Sequence, residues 1–113
     1  MSFAVEIRGN TVWASIEGEV DMQVAGPWRE ELDRQLGATF VRNLTFDFSG
    51  VRFIDSSGLG VVLGRYKKVS SRGGKVSIVG ASPQVYRILQ LSGLCRLMDI
   101  AQPAGDRAAG GLA

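Results

Sequence analysis

Phe53-Ile54-Asp55-Ser56-Ser57-Gly58-Leu59-Gly60-Val61-Val62-Leu63-Gly64-Arg65-Tyr66-Lys67 is the stretch where an apolar run turns into a helical pattern. Upstream of it, Leu44-Thr45-Phe46-Asp47-Phe48 alternates apolar and polar residues, the period of a half-buried strand. Downstream, Leu59, Val62, Leu63, Tyr66 and Val69 recur at helical spacing. A strand that feeds a helix through Asp-Ser-Ser-Gly sets a carboxylate and two hydroxyls at a helix N-terminus. Backbone N–H groups there lack intrahelical partners and the local potential is positive, so a phosphate can be accommodated. The same residue types are preferred N-caps, so Asp55 or Ser56 can also serve as a cap and nothing more.

Working outward, the pattern predicts a hairpin over residues 4–8 and 11–17, turning at Gly9-Asn10. A helix is expected over 24–36, with Trp28, Leu32 and Gln35/Leu36 facing inward and Gly37 as its stop. Pro27 fits best in a first turn, which places the regular helix near Gly26 with a looser lead-in from Asp21. Residues 44–48 form the central strand, 57–71 the second helix, and Arg72-Gly73-Gly74 ends it. A strand follows over 75–79. Ser82 caps a third helix with Pro83 at its first position and Gly93 at its close, and a short last strand covers 96–100. Strands alternating with helices after an opening hairpin imply an α/β fold: a mostly parallel sheet of four to five strands with an antiparallel N-terminal strand.

On the second helix the spacing divides the residues into two rows. Leu59, Val62, Leu63, Tyr66 and Val69 are predicted to face the sheet. Gly58, Val61, Arg65 and Lys68 are predicted to face outward, as a docking surface that is small, apolar and charged in turn. Gly60 and Gly64 are read as sites of close helix-on-strand packing.

Bulk properties exclude several classes of function. The chain has 113 residues, enough for one domain with one core. Net charge is +2, too balanced to argue for direct nucleic-acid binding, and the cluster Arg65, Lys67, Lys68, Arg72 and Lys75 reads equally well as a solvated helix face. No apolar run reaches ~18 residues, so no membrane span is expected. The first eight residues read as a strand, not as a signal peptide. A single cysteine, Cys95, makes no internal disulfide, which fits a reducing cytoplasm; among apolar neighbours it reads as a small packing residue. Histidine is absent. That removes Ser-His-Asp and Cys-His catalysis and the usual zinc sites. There is no P-loop, and Lys67 and Lys68 lie about three helical turns from the serines, too far to act as a base. These absences argue against the alternative of an enzyme that uses Ser56 or Ser57 as nucleophile, and neither a cofactor nor a metal is expected.

The string from Phe53 to Lys67 resembles the phosphorylation-site motif of bacterial anti-sigma factor antagonists, which are single STAS domains. Gly18-Glu19-Val20-Asp21 resembles the family's G-E-[LV]-D after the second strand, and Ser82-Pro83 and Leu91-Ser92-Gly93-Leu94 match its S-P and S-G-L positions around the third helix. In register, these matches cover roughly residues 3 to 100. The resemblance implies the STAS fold, with helices mainly on one face of the sheet, over residues 1–102. Residues 103–113, with Pro103, Gly105, Gly110 and Gly111, make a poor helix where relatives usually place a fourth.

The resemblance also implies roles. Ser56 matches the phosphoacceptor. Asp21 matches a position that supports recognition of the kinase partner and also suits a helix cap, and Asp55 orients the Ser56 loop. With Ser57, Gly58, Val61 and Arg65 they make the expected partner-binding set. The implied partners are an anti-sigma factor that is a serine kinase and a serine phosphatase acting on the phosphorylated form. An alternative within the family is a scaffold or sensor module of a stressosome-like assembly. A transport-linked STAS domain is disfavoured by a chain that starts at Met1 and lacks a span.

Overall fold

A computed structural model describes residues 2–103. Strand β1 (Ser2–Arg8) turns back into β2 (Thr11–Val20), with Gly9 in the left-handed region the tight turn requires. Helix α1 (Met22–Leu36), strand β3 (Asn43–Ile54), helix α2 (Ser56–Ser71), strand β4 (Val76–Val79), helix α3 (Pro83–Leu91), a single 3-10 turn at Leu94–Arg96 and strand β5 (Asp99–Ile100) follow. The five strands lie in chain order, β1 antiparallel to β2 and every later pair parallel. This is the expected mixed sheet.

Right-handed crossovers that always step in one direction leave their helices on one face. The burial pattern agrees. Val12, Ala14 and Ile16 of β2, Leu44, Phe46 and Phe48 of β3, and Val76 and Ile78 of β4 are buried, while the intervening residues are half-buried. Trp28 of α1 packs edge-on against Phe46, ring centroids 5.5 Å apart, and also meets Phe48. These rings and Leu32, Leu36, Val62, Val85 and Leu89 form the centre of the core. On the opposite face the Thr45 and Ser77 hydroxyls share a hydrogen bond at 3.1 Å between neighbouring strands. Cys95 is half-buried and packs against the core, as expected. No helix among the described residues is long and apolar enough to cross a membrane.

Beyond one-residue shifts, five element boundaries differ from expectation: β1 starts two residues earlier and β2 runs on to Val20, and three others have a specific local cause. Helix α1 starts at Met22, capped by the Asp21 carboxylate, which accepts the Gln23 N–H at 3.0 Å. Pro27 therefore sits inside the helix and not in its first turn. One missing N–H is the cost, and burial of Trp28 and Leu32 immediately after it outweighs that loss. Strand β3 continues past Phe48 to Ile54, because its pairing with β2 persists through two register shifts to Val20↔Ile54. The last strand shrinks to Asp99–Ile100: Gly93, in the left-handed region, launches a 3-10 turn that takes in Arg96, and only Asp99 and Ile100 pair with β4. Pro103 is buried without regular structure, and the rest of the expected tail lies outside the described residues.

Candidate functional site

The site grows from the paired ends of β2 and β3. Val20 and Ile54 are register partners, and the Asp55 N–H donates to the Val20 carbonyl at 3.1 Å. The next residue of each strand is therefore an aspartate beginning a helix: Asp21 for α1 and Asp55 for α2. Asp55 holds extended backbone geometry, and its Oδ1 accepts the N–H of Ser57 at 2.9 Å, the N–H of Gly58 at 3.1 Å and the Ser57 hydroxyl at 2.9 Å. The Gly58 N–H, ahead of the Ser57 hydroxyl, holds the Asp55 carboxyl below its ordinary range; partial desolvation opposes them.

The two serines are thereby made unequal. Ser57 is half-buried and its hydroxyl is engaged by Asp55. Ser56, at the first position of α2, is exposed, and its hydroxyl makes no hydrogen bond among the described residues. The helix N-terminus is also less open to a phosphate than the sequence suggests, because Asp55 already occupies the N–H groups of the second and third positions.

Gly58 is buried, contrary to the outward position expected of it. A Cβ there would approach Ile54 Cγ1 to 2.7 Å and the Val20 carbonyl oxygen to 2.9 Å. Its lack of a side chain lets the first turn of α2 rest on the ends of β2 and β3. Gly60 and Gly64, read as packing glycines, have open space where a Cβ would stand. The roles of these glycines are exchanged relative to expectation.

The outward row is likewise corrected. Val61 and Arg65 are buried, at 5% and 6% exposure, whereas Leu59, Leu63 and Tyr66 are half-buried. Helix α2 touches both the sheet and α1, so its covered arc is wider than a single apolar stripe. Gly58, Val61, Val62, Arg65 and Val69 all fall inside it. Of the outward row only Lys68 is exposed.

Arg65 crosses to α1, with Nε 3.0 Å from Asp33 Oδ1. This is an ion pair by distance, but the N–H is not aimed for a hydrogen bond, and Arg65 Nη1 is buried without any partner. Lys68 Nζ reaches the same Asp33 oxygen at 3.0 Å. Burial pulls the Arg65 guanidinium below its usual range; Asp33 opposes that shift and Arg29 adds to it.

Ser56, Ser57, Val61 and Arg65 line one cleft, about 420 Å³, whose other wall is Ala25 and Arg29 of α1, with Gly60 on the rim. Asp21 lies in an adjoining groove with Glu19, Gln23 and Arg52. Ala25, Arg29 and Gly60 are absent from the sequence-derived set. The signal for Ala25 and Arg29 was a row at i, i+4 and i+8 on α1, Ala25, Arg29 and Asp33, whose acidic end complements Arg65.

The STAS domain model matches residues 2–106. The chain belongs to the STAS family. Curated relatives of this STAS domain include the anti-sigma F factor antagonist of Paenibacillus polymyxa, 34% identical over 85 residues that cover 75% of this chain and 73% of that one. The anti-sigma-B factor antagonist of Bacillus subtilis is 31% identical over 104 residues, 88% of this chain and 92% of the relative. Among solved structures, an anti-sigma factor antagonist assigned as such in Thermotoga maritima superposes with a TM-score of 0.81 at 25% identity, covering 96% and 92% of the two chains. The Bacillus cell fate determinant SpoIIAA in its phosphorylated form superposes with a TM-score of 0.72 at 26% identity, covering 99% and 100%.

Proposed function

We propose that this STAS domain is an anti-sigma factor antagonist working by partner switching in the cytoplasm. Its unphosphorylated form binds a cognate anti-sigma factor that is also a serine kinase, and so frees the sigma factor. Transfer of the γ-phosphoryl of ATP to Ser56 Oγ, with loss of the hydroxyl proton, ends the binding, and a serine phosphatase restores it. The domain is a substrate and a ligand, not an enzyme.

The observation that carries this reading is the inequality of the serines. Ser56 is exposed with a free hydroxyl, while the Ser57 hydroxyl is held by Asp55. A kinase needs an accessible hydroxyl, and only one of the two is presented. The family relationship supports the same role, and a relative of this fold is known in a phosphorylated form. Asp21 and Asp55 fix the paired helix starts around that hydroxyl, and Met22, largely exposed, and Phe53, a little under half exposed, supply apolar area next to them in the chain for a partner. Val61 and Arg65 contribute from the cleft and not from an open face.

The switch follows from charge. Phosphorylation adds about −1.5 to −2 charges at neutral pH. Desolvating that charge against a surface shaped for a hydroxyl, at ~3–4 kcal/mol, weakens binding by roughly two to three decades. The test is incubation with the cognate kinase and ATP, followed by mass spectrometric mapping. Phosphate on Ser56 is the expected result; phosphate on Ser57, or on neither serine, overturns the assignment.

A further inference from the structure

Strands β2 to β5 begin at one end of the sheet, and helices α1, α2 and α3 finish there. Asp21, Asp55 and Ser56 lie at the opposite end, where α1 and α2 start. The end where the strands begin gathers cations. Arg42 directly precedes β3, Arg72 closes α2, Lys75 directly precedes β4, and Arg96 ends the 3-10 turn before β5. They are neighbours in space. Arg42 Nη2 stands against Gly73, the Lys75 N–H donates to Asn43 Oδ1 at 3.0 Å, and Lys75 lines one groove with Arg96 and Leu97. All four are exposed, and none pairs with a carboxylate among the described residues. Asp99 is the carboxylate in that groove, while Glu31 and Asp33 of α1 are taken by Arg34, Arg65 and Lys68. A cation at a helix C-terminus offsets the helix dipole, which accounts for Arg72. It does not account for Arg42 or Lys75, which stand at strand starts.

Apolar side chains stand among these cations. Phe40 is 62% exposed and Leu97 45%, and Leu91, which ends α3 at the same end of the molecule, is 76% exposed. Left in water, they gain nothing from folding, and an apolar layer would bury them. One kind of surface accepts both sets. Anionic headgroups attract Lys and Arg, and the acyl boundary beneath them takes Phe and Leu. A nucleic-acid duplex offers phosphates to the cations but no apolar layer for Phe40, Leu91 and Leu97. The acids segregate the other way. Glu17, Glu19, Asp21 and Asp55 sit at the Ser56 end, which an anionic surface repels.

We infer that the end of the domain carrying Phe40, Arg42, Arg72, Lys75, Arg96 and Leu97 docks reversibly on an anionic phospholipid surface. No span is needed: side chains reach the headgroup layer and the backbone stays outside it. Docked this way, the domain turns Ser56 away from the bilayer and toward a soluble partner. The inference does not rest on the reading of Ser56 and holds for either phosphorylation state. Attraction of this kind is screened by salt, and a few cations with two or three apolar side chains give weak, reversible binding.

The test uses full-length protein and two kinds of vesicle: phosphatidylcholine alone, and phosphatidylcholine with phosphatidylglycerol in equal parts. Flotation on a density gradient, at low salt and at about 0.15 M salt, reads the bound fraction. The expected result is flotation with the phosphatidylglycerol vesicles alone, weakened by salt. Arg42→Gln and Lys75→Gln, both surface changes, should each lower affinity about fivefold. Phe40→Ser should lower it about tenfold, the effect of burying roughly half that side chain. Arg52→Gln removes an equal charge from the Ser56 end and should leave affinity unchanged. Circular dichroism checks that each variant is folded. In a second arm, fluorescence anisotropy with a labelled DNA duplex is measured at the same salt, and binding weaker than to the anionic vesicles is expected. Failure to float with the phosphatidylglycerol vesicles overturns the proposal. Equal losses from Arg52→Gln and Arg42→Gln also overturn it, because net charge and not a patch would then govern binding. So does tighter binding to the duplex than to the vesicles, unmoved by Phe40→Ser.

Discussion

Arg65 Nε lies 3.0 Å from Asp33 Oδ1, and this contact joins the second helix to the first beneath the candidate site. Arg65 is buried, while the Asp33 side chain keeps about a third of its exposure. Removing the carboxylate strands a buried cation, whereas removing the cation leaves an acid that reaches water and Lys68. Asp33→Ala should therefore cost ~1–3 kcal/mol, below the range for a fully buried pair because Asp33 is partly solvated. Arg65→Met should stay within ~1 kcal/mol of wild type. Urea titrations of both variants measure the contrast, and equal losses would contradict it.

Gly58→Ala tests the seat of α2 on the strand ends. The new methyl would meet Val20 and Ile54 side chains and, more importantly, the Val20 backbone carbonyl at 2.9 Å. Backbone cannot swing aside as a side-chain tip can. A loss of ~1–3 kcal/mol is expected. Gly60→Ala, where the Cβ meets nothing within 4 Å, should leave stability unchanged or raise it slightly through helix propensity. Thermal melts of the two variants give the comparison; a larger loss for Gly60→Ala would mean the helix is rotated from the orientation described.

The core assignment along α2 gives a third outcome. Val62 is fully buried and Leu63 only partly. Val62→Ala should cost ~1.5–3 kcal/mol, and Leu63→Ala less than its larger size would suggest. Val61→Ala should also lose measurable stability, because Val61 is packed against the rest of the chain and not displayed on an open face.

Acid should loosen the helix start. The folded-state pKa of Asp55 is depressed by the Gly58 N–H and the Ser57 hydroxyl. A group with a depressed pKa contributes stability above its unfolded value, about 3.9, and loses it as pH falls through the folded value. Asp55→Asn keeps an acceptor for the cap but has no proton to take up. Wild type should lose more stability than Asp55→Asn between neutral pH and pH 3, and urea melts across that interval measure the difference. Glu31, depressed by Arg34 and Gln35, falls in both proteins and cancels.

Much of this was legible in the sequence, for stated physical reasons. Alternation in Leu44–Phe48, the Gly9-Asn10 turn, Ser82-Pro83 and Gly93 each have one strong local reading, and the mixed sheet followed from their order. The motif around Ser56 was equally plain. What sequence did not reveal was the neighbour of α2. A single-face pattern assumes that the other face meets water, and the row Gly58, Val61, Arg65 contains too little apolar character to announce a helix–helix seam. Arg29 went unnoticed because a lone arginine on an amphipathic helix looks solvated until the opposing helix is in place. The inequality of Ser56 and Ser57 is a matter of one carboxylate's aim, which periodicity does not encode.

The central claim is that a charge on Ser56 ends partner binding while the domain stays folded. Calorimetric titration of the cognate anti-sigma factor with unmodified protein and with protein carrying phosphoserine at position 56 tests it most directly, with circular dichroism as the control for folding. The account predicts affinity lower by roughly two to three decades for the phosphoprotein, an intermediate loss for Ser56→Asp, whose charge is smaller, and retained binding for Ser56→Ala. A well-folded phosphoprotein that binds the anti-sigma factor as tightly as the unmodified chain would contradict it.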